Sequence, residues 1–370
     1  MKRVLPTLPS IKVCPRRTGS LRPKSSQVKG AARPVSSATK RFLGILLLAL
    51  LGFALFNVLI SIAARNSQRK QMLSHLANLQ DPLDCIFLGN SLMEAALDPG
   101  AFNRAWEGGS TPVVVNLALG ATSPVEHFLI LKRALDQPTH PHLIIYGFFD
   151  DQLFSETSGR WSDLVGNRAL SYYFPREAAG LYAPGSWWKR WQLQLTSKIP
   201  LLAERSSPWG KVESARRWMD EVGMPKRPMN RFGRIEDFKA LEAKDGPAFE
   251  RRLQETLAAG PAFSRATRAL IRLAGERGVQ LVFVEMPMPS HHRKTFYVSS
   301  SWTRLRERMQ SMAAGEHIAF VSASDWIQED DRFEDATHLN PEGAIEFSRQ
   351  LAASVRPLIL RGSSPVALDR

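Results

Sequence analysis

The sequence predicts an α/β protein. It reads as a three-layer α/β/α sandwich around a parallel sheet, with a long inserted helical cap and one N-terminal transmembrane helix. Short apolar runs at 84–89, 113–118, 142–147, 280–285 and 317–321 have the length of buried parallel strands. Segments with helical periodicity at 124–136, 262–277, 302–314 and 341–356 lie between and after them. Strand–helix alternation of this kind folds into a parallel sheet covered by helices on both faces. The third observation is an uncharged apolar run from Phe42 to Ala64.

In chain order, residues 1–41 come first as a disordered tail. Eleven of the 49 Lys and Arg fall there with no acid, so the remaining 38 face 35 acidic residues and the rest of the chain nets only +3. The overall charge of +14 is therefore a property of the tail. The folded part lacks the basic footprint of a nucleic-acid binder. Rich in Ser, Pro, Gly and Thr, the tail cannot bury enough apolar surface to order itself.

Residues 42–64 follow. Twenty-three residues in helix span about 34 Å, enough for a hydrocarbon core of about 30 Å. Asn57 and Ser61 are its only clearly polar interruptions. A signal peptide is the competing reading, but its apolar region runs only about 7–15 residues. The basic tail belongs in the cytoplasm and the rest of the chain outside, against the weaker counter-signal of Arg65, Arg69 and Lys70. Membrane lipid is then the first partner. Residues 65–82 are a connector, with a polar-to-amphipathic helix from Ser67 to Gln80. The main domain covers 83–360 and a tail covers 361–370. Cys14 and Cys85 support no disulfide framework, and Cys85 reads as a small buried apolar residue.

The first strand, Cys85-Ile86-Phe87-Leu88, runs into Gly89-Asn90-Ser91 and then a helix-compatible segment. This puts Ser91 at the carboxyl edge of a sheet, where open α/β proteins bind ligands. The bland alternative for Ser91 is a helix N-cap. Far downstream, Asp335-Ala336-Thr337-His338 precedes Asn340-Pro341, the N-cap and first residue of the last helix. A nucleophilic Ser needs a base, and the base needs an orienting group; Asp335 and His338 can meet on one turn and supply both. The alternative there is a polar loop with a local hydrogen bond.

The insertion, 151–260, contains Trp161, Trp187, Trp188, Trp191, Trp209 and Trp218, six of the nine Trp, and the basic, Pro-containing run Met224–Pro228. So long a loop without structure is improbable, and a helical cap is expected. Its Trp are expected to form the core of that cap, because buried aromatics dominate cores. The alternative is a lid presenting an aromatic surface to sugars, lipid or a partner protein. Asp150 at the third strand end, and His291 and His292 after the fourth, are candidates for lining a substrate pocket, the two His on an exposed loop. No Cys/His/carboxylate spacing indicates a metal, and no cofactor is indicated.

Taken together, Gly89-Asn90-Ser91, Gly120, Gly147-Phe148-Phe149-Asp150 and Asp335-Ala336-Thr337-His338 resemble the blocks of the SGNH (GDSL-like) hydrolase superfamily. The resemblance covers about residues 83–150 and 280–356. It implies an SGNH/flavodoxin-like sandwich and ester chemistry, with Ser91, Asp335 and His338 catalytic and the backbone N–H groups of Ser91 and Gly120 in an oxyanion hole. Two positions depart from the family. Asn90 replaces the usual Asp, and Phe149 replaces the Asn that completes the oxyanion hole. Asn116 is a candidate replacement donor. In architecture the chain also resembles the single-span proteins that accompany membrane-bound O-acyltransferases in cell-surface polymer acylation. That implies a bacterial inner-membrane protein with its catalytic domain in the periplasm or outside the cell. Its partner would be an O-acyltransferase and its substrate or acceptor a carbohydrate. It would act as an esterase or O-acyltransferase, acetyl foremost. The rival expectation is a catalytically weak scaffold or polymer-binding subunit.

Overall fold

The computed structural model describes residues 37–65, 67–106, 111–154, 173–182, 185–203 and 235–362. The chain divides into Met1–Gly52 and Phe53–Arg370. Cys14, most of the basic tail, Trp161, Trp209, Trp218, the run 224–228 and residues 363–370 lie outside the described residues.

Helix α1, Ser37–Ala63, is long and apolar enough to cross a membrane. Most of its large apolar side chains are exposed. Helix α2, Gln68–Ala77, begins on an N-cap in which Ser67 Oγ accepts from Lys70 N. Its Met72 and Leu76, with Leu79 and Leu83 beyond it, reach the main core, so this connector is packed rather than free.

Five strands follow: β1 Cys85–Leu88, β2 Val114–Asn116, β3 Leu143–Phe148, β4 Gln280–Glu285 and β5 Ala319–Ser322. All pair in parallel, in the order β2-β1-β3-β4-β5. That is the flavodoxin-like doubly wound order, whose topological switch point lies between β1 and β3. Cys85 aligns with Val114 on one side and Leu143 on the other, which levels the carboxyl ends of the three strands. Buried on both faces, β1 and β3 are apolar throughout, as central parallel strands must be.

Alternation along the strands sorts the core into two halves. Ile86, Leu88, Ile144, Tyr146, Phe148 and Phe283 face one helical layer: α5 Pro124–Leu135, α10 Arg265–Glu276 and α12 Ser300–Gly315. Cys85, Phe87, Leu143, Ile145, Val282 and Val284 face the other, made of α3 Ser91–Ala96, α4 Pro99–Arg104 and α13 Pro341–Gly362. The second layer is clasped across 250 residues. Ser348 Oγ on α13 accepts from Asp98 N at 2.8 Å. The same hydroxyl donates to Ala96 O at 3.2 Å.

The described part of the insertion is helical: α6 Pro175–Tyr182, α7 Trp187–Ser197, α8 Pro200–Ala203 and α9 Ile235–Ala258. Leu193 of α7 packs with Ala178, Ala179 and Leu129 on the outer side of α5. Helix α9 sends Phe249 and Leu253 into the main core. Its Arg252 grips the buried Asp151 through Nε at 2.7 Å and Nη2 at 3.0 Å. Trp187, Trp188 and Trp191 are exposed, contrary to the expectation that they form a core. The reason is local. On α7 the single residue Leu193 fills the inward face, and the Trp lie on the opposite one.

Candidate active site

The site begins with how closely β1 and β3 turn out of the sheet. A Cβ on Gly89 would meet Met93 Cβ at 2.8 Å and the Gly147 carbonyl at 2.9 Å, so only glycine lets the chain bend there. Asn90 follows as the N-cap of α3, its Oδ1 accepting from Leu92 N at 2.9 Å. This settles the alternative for Ser91. The cap is its neighbour, and the Ser91 hydroxyl is left for another partner. Ser91 is the first helical residue, so its own N–H has no partner within the helix.

The partner is His338. Ser91 Oγ and His338 Nε2 are 2.8 Å apart, although 247 residues separate them. His338 Nδ1 lies 2.9 Å and 2.8 Å from the two oxygens of Asp335. The loop that carries both is narrow. Phe333 and Leu339 form an antiparallel bridge, Glu334 N donates to His338 O at 2.7 Å, and Asn340 Oδ1 caps α13 by accepting from Gly343 N. Asp335 Oδ1 also accepts from Thr337 N and His338 N, both at 2.8 Å. Asp335 is buried. Burial alone raises its pKa, but the hydrogen bonds from the His338 ring and the two N–H groups outweigh it and hold the carboxyl below its ordinary range. An ionised Asp335 favours the tautomer with its proton on Nδ1, which makes Nε2 the acceptor toward Ser91 Oγ.

Gly120 lies beside Ser91. Pairing continues past β2, with Leu117 N donating to Phe87 O and Leu119 N to Gly89 O. A Cβ built on Gly120 would sit 3.8 Å from Ser91 Cβ and 3.1 Å from Glu94 Oε2. The loop is held from below. Thr122 Oγ1 donates to Leu119 O, His127 Nε2 bonds Thr122 Oγ1 at 2.8 Å, and His127 Nδ1 bonds Tyr146 OH at 2.8 Å. Thr122 and His127 are near neighbours in sequence, and only the fold brings Tyr146 to them.

The remaining candidates have contacts of their own. Asn116 Oδ1 accepts from Ala118 N at 3.0 Å, a local turn bond. Phe149 packs its ring against the α3–α13 half of the core, and a phenyl ring donates no hydrogen bond. Asp150, in the left-handed region at φ 49°, accepts from Tyr297 OH at 2.8 Å and meets His292 Nε2 at 3.0 Å. Burial, with the Asp150 carboxylate alongside, pushes the Tyr297 phenol well up, so it remains a donor.

His291 and His292 were expected on an exposed loop. They lie instead on a helix, α11 Ser290–Phe296, where His292 is buried against Phe296 and Tyr297. Arg293 beside them donates to the carbonyls of Met288, Ser324 and Ile327, which holds the loop after the fourth strand. Cys85 is buried and free, and burial pushes its thiol well up. Among the described residues, no three His, Cys, Asp or Glu side chains gather as a metal site.

Fold and site together define a doubly wound α/β protein with a Ser–His–Asp line at the carboxyl edge of its sheet, between two loops that can offer N–H groups. No protein-family model matches the chain, and no curated protein does. Among solved structures it is similar to a candidate acylhydrolase from Bacteroides fragilis, at 10% identity and TM-score 0.37, over 80% of this chain and 97% of the other. It is also similar to a GDSL-like lipase from Bacteroides thetaiotaomicron, at 10% identity and TM-score 0.36, over 80% and 98% of the two chains. A third is a candidate arylesterase from Agrobacterium tumefaciens, at 14% identity and TM-score 0.32, over 75% and 100%. At such distances the functional reading rests on the site's own atoms.

Proposed function

We propose that this chain is an SGNH-type serine ester hydrolase or O-acyltransferase, anchored by α1 and acting outside the membrane on acylated carbohydrate, with acetyl as the group moved. The observation that carries the reading is the hydrogen-bonded line from Ser91 Oγ through His338 to Asp335. Ser91 Oγ attacks an ester carbonyl while His338 Nε2 takes its proton. Asp335 stabilises the imidazolium without accepting that proton. The N–H groups of Ser91 and Gly120 receive the oxyanion. His338 returns the proton to the leaving alkoxide. Water or a sugar hydroxyl, deprotonated by the same imidazole, then releases the acyl group. A membrane-bound O-acyltransferase is the partner class that would supply the acyl group. The apolar run of α1 and the positive charge of the tail support an inner-membrane anchor with the domain on the periplasmic side.

Phe149 favours a second reading. Loss of one oxyanion donor typically costs about 2.7–4 kcal/mol in such enzymes, and a catalytically weak scaffold subunit tolerates that loss. The test is p-nitrophenyl acetate turnover by the full chain, with trapping by a serine-directed phosphonate and with an oligosaccharide acceptor present or absent. Label on Ser91, abolished in Ser91→Ala and His338→Ala, is expected. A folded chain that takes no label favours the scaffold.

A further inference from the structure

Helix α7 presents an aromatic face that the ester chemistry does not use. Trp187, Trp188 and Trp191 are 75%, 53% and 47% exposed, and Leu195 adds 44%. Positions 187, 188, 191 and 195 follow helical spacing and lie along one side. Trp188 and Trp191 stack at 5.0 Å, and Trp187 meets Trp188 edge-on at 5.8 Å. The opposite side is the buried Leu193. An exposed patch of three Trp and one Leu is costly in water and marks a surface that meets an apolar partner.

What covers the patch is indicated by its neighbour. Leu201 N, at the start of α8, donates to Asn57 Oδ1 at 2.9 Å, and Asn57 Nδ2 donates to Phe53 O at 2.8 Å. Asn57 is one of the two polar side chains in the apolar run that ends at Ala64. It lies seven residues, about 10 Å along a helix, inside that end. Hydrocarbon demands that a polar amide and a helix-end N–H find protein partners, and these two find each other. The bond therefore fixes α8, and α7 immediately before it, at the depth where interfacial helices bury their apolar faces, about 5–10 Å into the headgroup–acyl boundary. Trp is the residue enriched at that level. Arg190 flanks the face and Lys198 follows at its C-terminal end, both with the positive charge that suits lipid phosphates.

We infer that α7 is a second membrane-contacting element, lying in the outer headgroup–acyl boundary with Trp187, Trp188 and Trp191 inserted. The inference rests on the proposed anchoring by α1, and its test separates the two. The full chain is reconstituted in phosphatidylcholine–phosphatidylglycerol vesicles, and Trp emission is compared with that of W187A/W188A/W191A and of the three single variants. The difference emission is expected to be quenched at least twofold by lipid brominated at carbons 6 and 7. Lipid brominated at 11 and 12 should quench it less. All variants should remain membrane-bound after carbonate extraction. An anchored chain whose difference emission is unquenched overturns the inference. So does one whose difference emission instead responds to soluble polysaccharide. Release of the wild-type chain by carbonate overturns the anchor, and with it this placement of α7.

Discussion

Replacing Asp335 by Asn tests the site more sharply than removing it. Asp335 Oδ1 accepts from the N–H groups of Thr337 and His338, each at 2.8 Å, so an Asn carboxamide oxygen is fixed there. The Asn NH2 must then occupy the place of Oδ2, which lies 2.8 Å from His338 Nδ1. Two donors cannot face each other, and Oδ1, 2.9 Å from Nδ1, already accepts from two backbone N–H groups, so the balance shifts His338 toward the tautomer with its proton on Nε2. Nε2 then donates to Ser91 and cannot act as its base. In Ser-His-Asp enzymes this exchange lowers kcat by about 10⁴-fold, which at about 1.36 kcal/mol per decade is about 5.4 kcal/mol of transition-state stabilisation. Folding should change little, because the two buried N–H groups keep an acceptor. Asp335→Ala leaves both without one, and adds about 1–3 kcal/mol of destabilisation for each. The assays are p-nitrophenyl ester turnover, the rate of Ser91 trapping, and urea unfolding. An Asp335→Asn chain within tenfold of wild type in kcat would refute the tautomer argument.

Other outcomes follow from the same contacts. A depressed carboxyl stabilises the fold above its unfolded pKa and loses that contribution as pH falls through the lower folded value. Asp335, below its ordinary 3.8, should therefore make the wild-type urea midpoint fall more steeply below about pH 4 than that of Asp335→Asn. Gly89→Ala pushes a Cβ to 2.9 Å from the Gly147 carbonyl, which cannot move aside. Gly147→Ala meets the flexible ends of Met93 and Met286 at 2.6 and 2.7 Å. Thermal unfolding should show the first as the worse of the two, with the second costing about 1–3 kcal/mol. Arg252→Ala strands the buried Asp151; because Arg252 is half exposed, the loss should be about 1–2 kcal/mol, with faster amide exchange in α9 as the readout.

The strands and the hydrogen-bonded Ser91, His338 and Asp335 were legible because each rests on a local pattern. An apolar run ends at Gly89, and Asp335 and His338 sit within one turn. What failed to show depends on distance or on facing. Tyr297 reaches Asp150 across 147 residues, and no spacing announces it. The Trp of α7 were misread because aromatics were weighed by type. Their helical arrangement, with Leu193 alone on the far side, carried the signal. His291 and His292 were given to a loop because a seven-residue helix is too short for periodicity to reveal. Asn90 as the cap was readable in principle, since Asn and Ser compete equally for that position, and only the bond to Leu92 decides between them.

The 247-residue interval between Ser91 and His338 also has a meaning in time. At a synthesis rate of about 5–20 residues per second, Ser91 leaves the ribosome about 12–50 s before His338 is made. Throughout that interval Ser91 is an ordinary alcohol, and the strand that presents it lacks the α13 clasp at Ala96 and Asp98. On the proposed acyl chemistry, the growing polypeptide carries no activated serine until the far end of the domain arrives.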